Sequence, residues 1–150
     1  MKICISCSMG GHLVEVLQLK NVYKKYNYFY LTFYKKGLVD EIKGEKIYFV
    51  ENPGRSIIKL LKNIIQTFFV LKKEKPDIII STGAGSAVPS IIIGKLLFNA
   101  KIIFIESFAR INTKSLSGII SYPFSDLFLV QWRNMLKLYG KKALYRGAVY

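Results

Sequence analysis

The sequence is poor in acidic side chains, in histidine and in long apolar runs. Its 150 residues include 9 Asp and Glu against 23 Lys and Arg, a single histidine, and a formal net charge of +14. It has no run of about 18 uncharged apolar residues, so we expect no transmembrane helix. The N-terminus also lacks the apolar core and small-residue cleavage site of a signal peptide, and we therefore expect a cytoplasmic protein.

The excess of positive charge favours an anionic partner, but the usual signatures of nucleic-acid binding are missing. The sequence has no zinc-finger spacing, no RNP-type aromatic motif and no arginine-rich arm. The basic residues are scattered among apolar stretches instead of being gathered in one tail. We therefore expect no nucleic acid as a partner. An anionic membrane surface and a phosphorylated ligand remain, as does a basic surface without a specific partner.

The two cysteines, Cys4 and Cys7, form a C-x-x-C pattern. The aromatic and proline residues that are usual in redox motifs do not accompany it. We interpret the cysteines as small side chains near the end of a buried first strand.

Short apolar segments alternate with segments of helical periodicity along the whole chain. Strands are predicted at residues 2–7, 27–33, 46–50, 77–81, 101–106 and 127–131. Helices are predicted at residues 12–25, 56–73 and 88–98, and a short helix or turn at residues 115–122. The strands are continuously apolar, which is typical of strands that are buried on both faces. The pattern predicts an α/β fold, a Rossmann-like parallel sheet with helices on both faces, in one domain spanning residues 1–150.

A first glycine turn follows the first predicted strand. Gly10 and Gly11 let the backbone turn tightly, and the helix that follows directs its positive N-terminal end at the same place. His12, the only histidine, stands at the start of that helix. A helix start opposes a positive charge, and a neutral imidazole is the form that a general base requires. A histidine that only caps or packs the turn is the alternative interpretation.

A second glycine turn follows the strand at residues 77–81. Thr82, Gly83, Gly85 and Ser86 connect this strand to a helix that starts near Pro89. Ligands of open parallel sheets bind beyond the carboxyl ends of the strands, so both turns are predicted to contribute backbone N–H groups to one anion site. The alternative is a tight strand-to-helix connection with no binding role.

A third polar group, Glu106 and Ser107 with Arg110, follows the strand at residues 101–106. A carboxylate at the end of an apolar strand is costly unless it is hydrogen-bonded or used in chemistry. Glu106 is therefore a candidate for a base or for binding sugar hydroxyls. Arg110 is a candidate phosphate ligand, although an internal ion pair between Glu106 and Arg110 is equally compatible with the sequence.

The predicted helix at residues 56–73 has an apolar stripe on one side and lysines on the other. Such a stripe most often packs against the protein core. The alternative is a helix that lies in the membrane interface with its lysines among anionic headgroups.

Taken together, these motifs resemble the N-terminal halves of MurG-type GT-B glycosyltransferases. The residues that carry the resemblance are Gly10-Gly11-His12, the run from Ser81 to Pro89, and Ile105-Glu106-Ser107. The later residues Ser115 to Gly118, Tyr122, Ser125-Asp126 and Val130-Gln131-Trp132 are similar to the membrane-recruiting subunit of the two-part transferase that adds the second N-acetylglucosamine in dolichol-linked oligosaccharide synthesis. Bacterial counterparts of this subunit are the PssD and CpsF type proteins of capsule and exopolysaccharide synthesis.

The resemblance implies one half of a split enzyme. A partner that resembles the C-terminal half would hold the UDP-sugar, and this chain would face a lipid-linked saccharide acceptor at the inner face of the cell membrane. The implied reaction is an inverting sugar transfer that requires no cofactor or metal. His12 or Glu106 would take the acceptor proton, and Gly10, Gly11, Thr82, Gly83, Gly85, Ser86, Ser107 and Arg110 would surround the acceptor diphosphate. The apolar end of the chain, residues 147–150, would lie near the partner.

Two other functions remain compatible with the sequence. The first is a non-catalytic scaffold that docks and activates a catalytic partner. The second is a basic nucleotide- or nucleic-acid-binding module, which would show binding with a steep salt dependence.

Overall fold

The structure is a computed structural model that describes residues 1–37 and 39–148. Seven strands form one parallel sheet: β1 (Lys2–Cys7), β2 (Asn27–Thr32), β3 (Ile47–Phe49), β4 (Ile78–Gly83), β5 (Lys101–Ile105), β6 (Leu127–Val130) and β7 (Ala143–Tyr145). The strand order is β3-β2-β1-β4-β5-β6-β7, and every neighbouring pair is parallel. This confirms the predicted Rossmann-like α/β fold.

Six α-helices connect the strands: α1 (Gly11–Leu17), α2 (Lys20–Tyr23), α3 (Ile57–Glu74), α4 (Val88–Phe98), α5 (Leu116–Ser121) and α6 (Met135–Tyr139). Short 3-10 helices occupy Val39–Ile42 and Tyr122–Phe124. The predicted helix at residues 12–25 is wrong in its continuity, because Leu19 leaves the helical conformation between α1 and α2. Helix α6 and strand β7 are not predicted from the sequence, because they are too short to show a clear hydrophobic periodicity.

Two apolar clusters lie on opposite faces of the sheet. One contains Phe104 and Phe128 of the sheet together with Leu71 of α3 and Ile91 of α4. The second contains Ile5 and Tyr30 of the sheet with Leu13 and Val16 of α1, among other residues. Helices therefore lie on both faces, as predicted.

The second face carries an apolar groove over its β5–β6 side. The groove has a volume of about 400 Å³ and lies between α2 and residues 146–148, with Ile103, Leu127 and Leu129 along its floor. On the neighbouring edge strand, Leu144 pairs in register with Leu129 and is exposed. Apolar side chains of β5–β7 are thus left partly uncovered on this face.

Helix α3 buries its polar side and exposes its apolar side, the reverse of what the interpretation as a core helix predicts. Its buried residues include the polar Asn63, Thr67 and Glu74, whereas Ile57 and Ile58 are 76% and 69% exposed. The buried polar groups are satisfied: Asn63 Nδ2 donates to the Glu51 carbonyl oxygen at 2.7 Å, and the Thr67 hydroxyl donates to Asn63 Oδ1 at 3.2 Å. The core interpretation of the apolar stripe is therefore wrong, since most of the stripe faces outward.

The described helices do not include one that is both long and apolar enough to cross a membrane.

The two cysteines are free and buried in and beside the sheet centre, at the positions expected for small strand residues. Burial raises the pKa of both thiols, that of Cys7 to about 12. Because the thiolate is the reactive form, neither side chain is activated for redox chemistry.

Candidate active-site cleft at the carboxyl edge of the sheet

The two glycine turns meet at the carboxyl edge of the sheet, where β1 and β4 are neighbours. Cys7 at the end of β1 is in register with Gly83 at the end of β4. From this point the chain leads towards β2 on one side and towards β5 on the other, which makes it the topological switch point of the sheet. Open α/β sheets bind ligands in the crevice at this place.

A cleft of about 530 Å³ opens at this switch point. His12, Gly85, Ser107 and Arg110 line it, and Ser117 of α5 completes its polar side. Apolar residues from the start of α3 and from α5, among them Leu60 and Leu116, form its outer walls. The cleft therefore brings residues of all three predicted motifs together under an apolar rim.

His12 lies in the first turn of α1 with its ring beside the second glycine turn. The Thr82 hydroxyl donates to the His12 carbonyl oxygen at 2.8 Å, which ties the two turns together. Gly83 has φ +110°, and a Cβ atom at this residue would lie 3.4 Å from His12 Cε1 and 3.2 Å from Ser117 Oγ. Glycine is favoured here by the positive φ, and an added Cβ would also press on Ser117 Oγ.

The backbone N–H groups of the second turn are partly engaged within the protein. The Gly83 N–H donates to Ser81 Oγ at 3.1 Å, and the Ala84 N–H donates to Ser117 Oγ at 3.3 Å. Ser86 is buried, and its carbonyl oxygen accepts from Asn63. Among the glycines predicted to form the anion site, Gly85 lines this cleft and Gly11 lines an adjoining hollow with His12. Gly10, with φ +135°, makes the turn into α1.

Glu106 lies beneath Ser107 and Ser115 of the cleft wall and is only 1% exposed. Its Oε1 accepts from the Ser107 N–H at 2.9 Å, and its Oε2 accepts from the Ser115 N–H, the Ser115 hydroxyl and the Tyr139 hydroxyl. Burial and this contact raise the pKa of the Tyr139 hydroxyl, which favours its remaining a donor. The carboxylate is thus committed to organising the loop before α5, which argues against the predicted role of Glu106 as the base.

Ser107 and Arg110 occupy different environments in the loop after β5. The Ser107 hydroxyl donates to Glu15 Oε1 at 2.8 Å and is nearly buried. Arg110 is exposed at the cleft, where its guanidinium donates to Thr113 Oγ1 at 3.4 Å. Within residues 1–37 and 39–148, no ion pair joins Arg110 to Glu106, so the proposed internal pair is absent there.

Glu15 is a residue of the site that the sequence analysis missed. It is buried on α1, three residues after His12, and its Oε1 accepts from Ser107 Oγ and from the Phe108 N–H. Its Oε2 lies 3.8 Å from His12 Nδ1. The sequence contains a signal for this residue. Glu15 is a carboxylate within an otherwise apolar helical stretch, and it lies on the same helix face as the only histidine.

Solved structures with this fold define the class of the protein. The chain superposes on MurG of Acinetobacter baumannii with a TM-score of 0.76 at 13% identity, covering 99% of this chain and 45% of that one. It superposes on the UDP-N-acetylglucosamine 2-epimerase of Rickettsia bellii with a TM-score of 0.80 at 14% identity, again over 99% and 45%. The protein is therefore a Rossmann-like domain with the fold of the N-terminal half of GT-B proteins.

Sequence similarity narrows this class to one family. The family described as "Oligosaccharide biosynthesis protein Alg14 like" matches residues 50–149. The UDP-N-acetylglucosamine transferase subunit ALG14 of Yarrowia lipolytica is 30% identical over 97% of this chain and 80% of its own length, and that of Candida albicans is 38% identical over 61% and 46%. The chain belongs to the Alg14-like family, and it spans under half of the Candida relative and of the two GT-B-type structures.

Proposed function

We propose that this chain is the acceptor-side subunit of a two-part, inverting UDP-N-acetylglucosamine transferase. The observation that carries the proposal is the position of the only histidine, His12, in a cleft at the topological switch point of the sheet. The names of the ALG14 relatives, each a UDP-N-acetylglucosamine transferase subunit, support this donor. In this function the chain binds a polyprenyl-diphosphate-linked saccharide and presents its hydroxyl group.

The proposed chemistry is a single displacement at the anomeric carbon of the donor sugar. His12 takes the proton from the acceptor hydroxyl as its oxygen forms a bond to the anomeric carbon. The bond from this carbon to the UDP oxygen breaks, and UDP leaves with the electron pair. A placed base of this kind contributes about 10²–10⁴-fold in rate.

The acceptor diphosphate is proposed to bind beside the glycine turns. Arg110 is exposed at the cleft, and its planar guanidinium suits two phosphate oxygens at once. Gly85 lines the same cleft without a side chain, which allows close approach of a ligand. Ser107, whose hydroxyl is held by Glu15, lines the same cleft.

The partner is proposed to be a separate protein that resembles the C-terminal half of a GT-B enzyme and binds the UDP-sugar. The extent of the match, 45% of the MurG chain, fits one of two halves. The apolar groove over β5–β6, with Leu144 beside it, is the surface that we assign to this partner. Residues 147 and 148 border this groove, consistent with the expected position of the chain end, whereas Val149 and Tyr150 lie outside the described residues.

An anionic membrane surface is proposed to bind the outer face of α3 and α5. This membrane face comprises Ile57, Ile58, Leu61 and Ile65 of α3 with Leu116 and Ile119 of α5, all exposed. Lys59 and Lys62 are exposed on the same helix, and the net charge of +14 favours anionic lipids. The face borders the cleft, so a lipid-linked acceptor could enter directly from the bilayer.

This arrangement corresponds to peripheral attachment at the inner face of the cell membrane. We propose capsule or exopolysaccharide synthesis as the setting of this reaction, because the sequence motifs resemble those of PssD and CpsF type proteins. A non-catalytic scaffold that activates its partner remains the competing proposal, and the following experiment separates the two.

The test is sugar transfer by the purified complex of this chain and its partner. The His12→Ala variant should lower kcat by about 10²-fold or more while still co-purifying with the partner. Val14→Ala, on the same helix with an exposed side chain, serves as the matched control and should transfer sugar like the wild type. Wild-type turnover by the His12→Ala complex would exclude a catalytic His12 and favour the scaffold.

A further inference from the structure

Two buried polar atoms without a hydrogen-bond partner lie near one another, on residues that line the hollow adjoining the cleft. They are His12 Nδ1 and Glu15 Oε2, which are 3.8 Å apart, and neither bonds to any other group of the described chain. Buried polar atoms are rarely left unpaired, and each exception needs an explanation. A closure of roughly 1 Å would bring this pair to ordinary hydrogen-bond distance, as often happens in active sites when a ligand binds.

The Glu15 carboxylate is held so that this second oxygen stays directed at the imidazole. Its Oε1 accepts from the Ser107 hydroxyl at 2.8 Å and from the Phe108 N–H at 2.9 Å. The loop that supplies these donors is itself fixed, because the Trp132 Nε1–H donates to the Phe108 carbonyl oxygen at 2.7 Å. Glu15 is thus anchored through one oxygen to the loop after β5, and its other oxygen remains for His12.

The other charged groups near the cleft do not fill this role. The Glu106 carboxylate is occupied by donors from Ser107, Ser115 and Tyr139. Arg110 lines the cleft from the exposed side and cannot accept a hydrogen bond. Glu15 is the carboxylate whose oxygen lies beside the imidazole.

We propose that Glu15 is a positioning residue that orients His12 and selects its tautomer; this rests on the proposed function of His12 as base. Glu15 Oε2 accepts the Nδ1–H of the imidazole, which leaves the Nε2 lone pair for the acceptor hydroxyl. When Nε2 takes the acceptor proton, the imidazolium forms beside the Glu15 carboxylate, which stays ionised and stabilises the new charge. Glu15 itself gains and loses no proton in this cycle.

The Glu15→Gln variant should reverse the tautomer. The Phe108 N–H and the Ser107 hydroxyl need an acceptor, so the amide oxygen of Gln takes the place of Oε1. The amide NH₂ then points at His12 Nδ1 and can only donate to it. The ring must carry its proton on Nε2, where the lone pair is needed for the reaction.

The experiment is ¹⁵N NMR of the ring nitrogens of the full chain in alkaline buffer, where a neutral imidazole is observed. The single histidine gives an unambiguous signal. We expect the Nδ1–H tautomer to predominate in the wild type and the Nε2–H tautomer in Glu15→Gln. A wild type with predominant Nε2–H, which is the form favoured by a free histidine side chain in water, would overturn the proposal without any variant having to fold.

A second readout uses the complex with the partner. Glu15→Gln should lower kcat by about 10²-fold or more and leave KM nearly unchanged, because the tautomer affects proton removal and not acceptor binding. A reversed tautomer with wild-type kcat would overturn the positioning role. If instead the NMR result is as expected while His12→Ala transfers sugar normally, the pairing stands and the proposed function of His12 fails.

Discussion

At the scale of single residues, two buried carboxylates at the same sheet edge have different surroundings. Glu106 accepts hydrogen bonds at both oxygens, and it fixes the loop that leads into α5. Glu15 accepts at one oxygen only and presents the other to His12. The donors at both oxygens of Glu106 indicate a structural role, whereas the free oxygen of Glu15 suits a role beside His12.

Gly118 packs directly against the hydrogen-bonded side chains of Glu106, Ser115 and Tyr139, which leave no room for a side chain at this position. A Cβ atom at this residue would collide with the Tyr139 hydroxyl and the Glu106 carboxylate. The Gly118→Ala variant should therefore lose about 1–3 kcal/mol of unfolding free energy, as overpacked cores do. Urea unfolding measures this, with Gly11→Ala as the control because its Cβ would meet no atom within 4 Å. Equal stability of Gly118→Ala and the wild type would contradict the packing.

The lowered pKa of Glu74 leads us to expect that the free energy of unfolding decreases in acid. Burial alone would raise the pKa of this carboxyl, but hydrogen bonds from Lys46, Tyr48 and Lys2 outweigh it and lower the pKa from 4.5 to about 2. Between these values the unfolded chain binds a proton that the folded chain does not, so stability is present above pH 4.5 and is lost towards pH 2. We expect a loss of roughly 2 kcal/mol from this group after screening of its partly exposed lysines.

Unfolding free energies measured between pH 7 and pH 2 test this expectation. Glu74→Gln should be less stable at neutral pH and should show a flatter profile below pH 4.5, because the titrating group is gone. Glu41→Gln, at an exposed site, should keep the wild-type profile. An unchanged slope in Glu74→Gln would show that other groups cause the acid sensitivity.

At the scale of elements, α3 has its apolar side chains outside and its polar side chains inside. The proposed membrane face predicts that replacing Ile58 and Leu61 together by Asn weakens binding to vesicles with anionic lipid by about tenfold or more, since each removes apolar area worth up to about 2 kcal/mol. Thermal stability should change little, because both side chains are exposed.

Val22→Asn is the matched control for this pair. Val22 is 63% exposed, and it lies on α2 at the opposite face of the sheet. Co-sedimentation with vesicles measures the binding, and added salt should weaken it for the wild type by screening the basic surface. If the double variant and Val22→Asn bound vesicles equally well, the membrane would have to contact another surface.

At the scale of the whole molecule, the groove over β5–β6 is the place where a partner is expected. Leu144→Asp puts a charge on the exposed edge strand beside this groove, in register with Leu129. Co-purification with the partner should weaken by about tenfold, because a buried unpaired charge is unfavourable in an interface. Leu138→Asp, exposed on α6 at the other face, should leave partner binding intact. The reverse order of effects would place the partner on the α6 side.

The order and type of the main elements, and the sheet edge at which the candidate site lies, can be predicted from the sequence alone. Continuously apolar strands, separated by periodic helices, are sufficient for a parallel α/β sheet, and glycine turns after two strands fix where its ligand edge lies. The sequence predicts His12, Gly85, Ser107 and Arg110 as site residues because each lies in the segment that follows a strand, and the structure brings all four to one cleft. The presence of α6 and β7, and the break between α1 and α2 at Leu19, are not predicted from the sequence, because elements this short show no clear hydrophobic periodicity.

Which side chains face one another depends on how the whole chain folds. The apolar stripe of α3 could pack inward or outward, and the hydrogen bonds of Asn63, Thr67 and Glu74 made the polar side the buried one. The donors around Glu106 likewise include a residue far away in the chain, Tyr139. Glu15 and His12 are neighbours on α1, but the donors that hold the Glu15 carboxylate come from the loop after β5. Local patterns specify elements, whereas the satisfaction of buried polar atoms depends on neighbours that only the folded chain brings together.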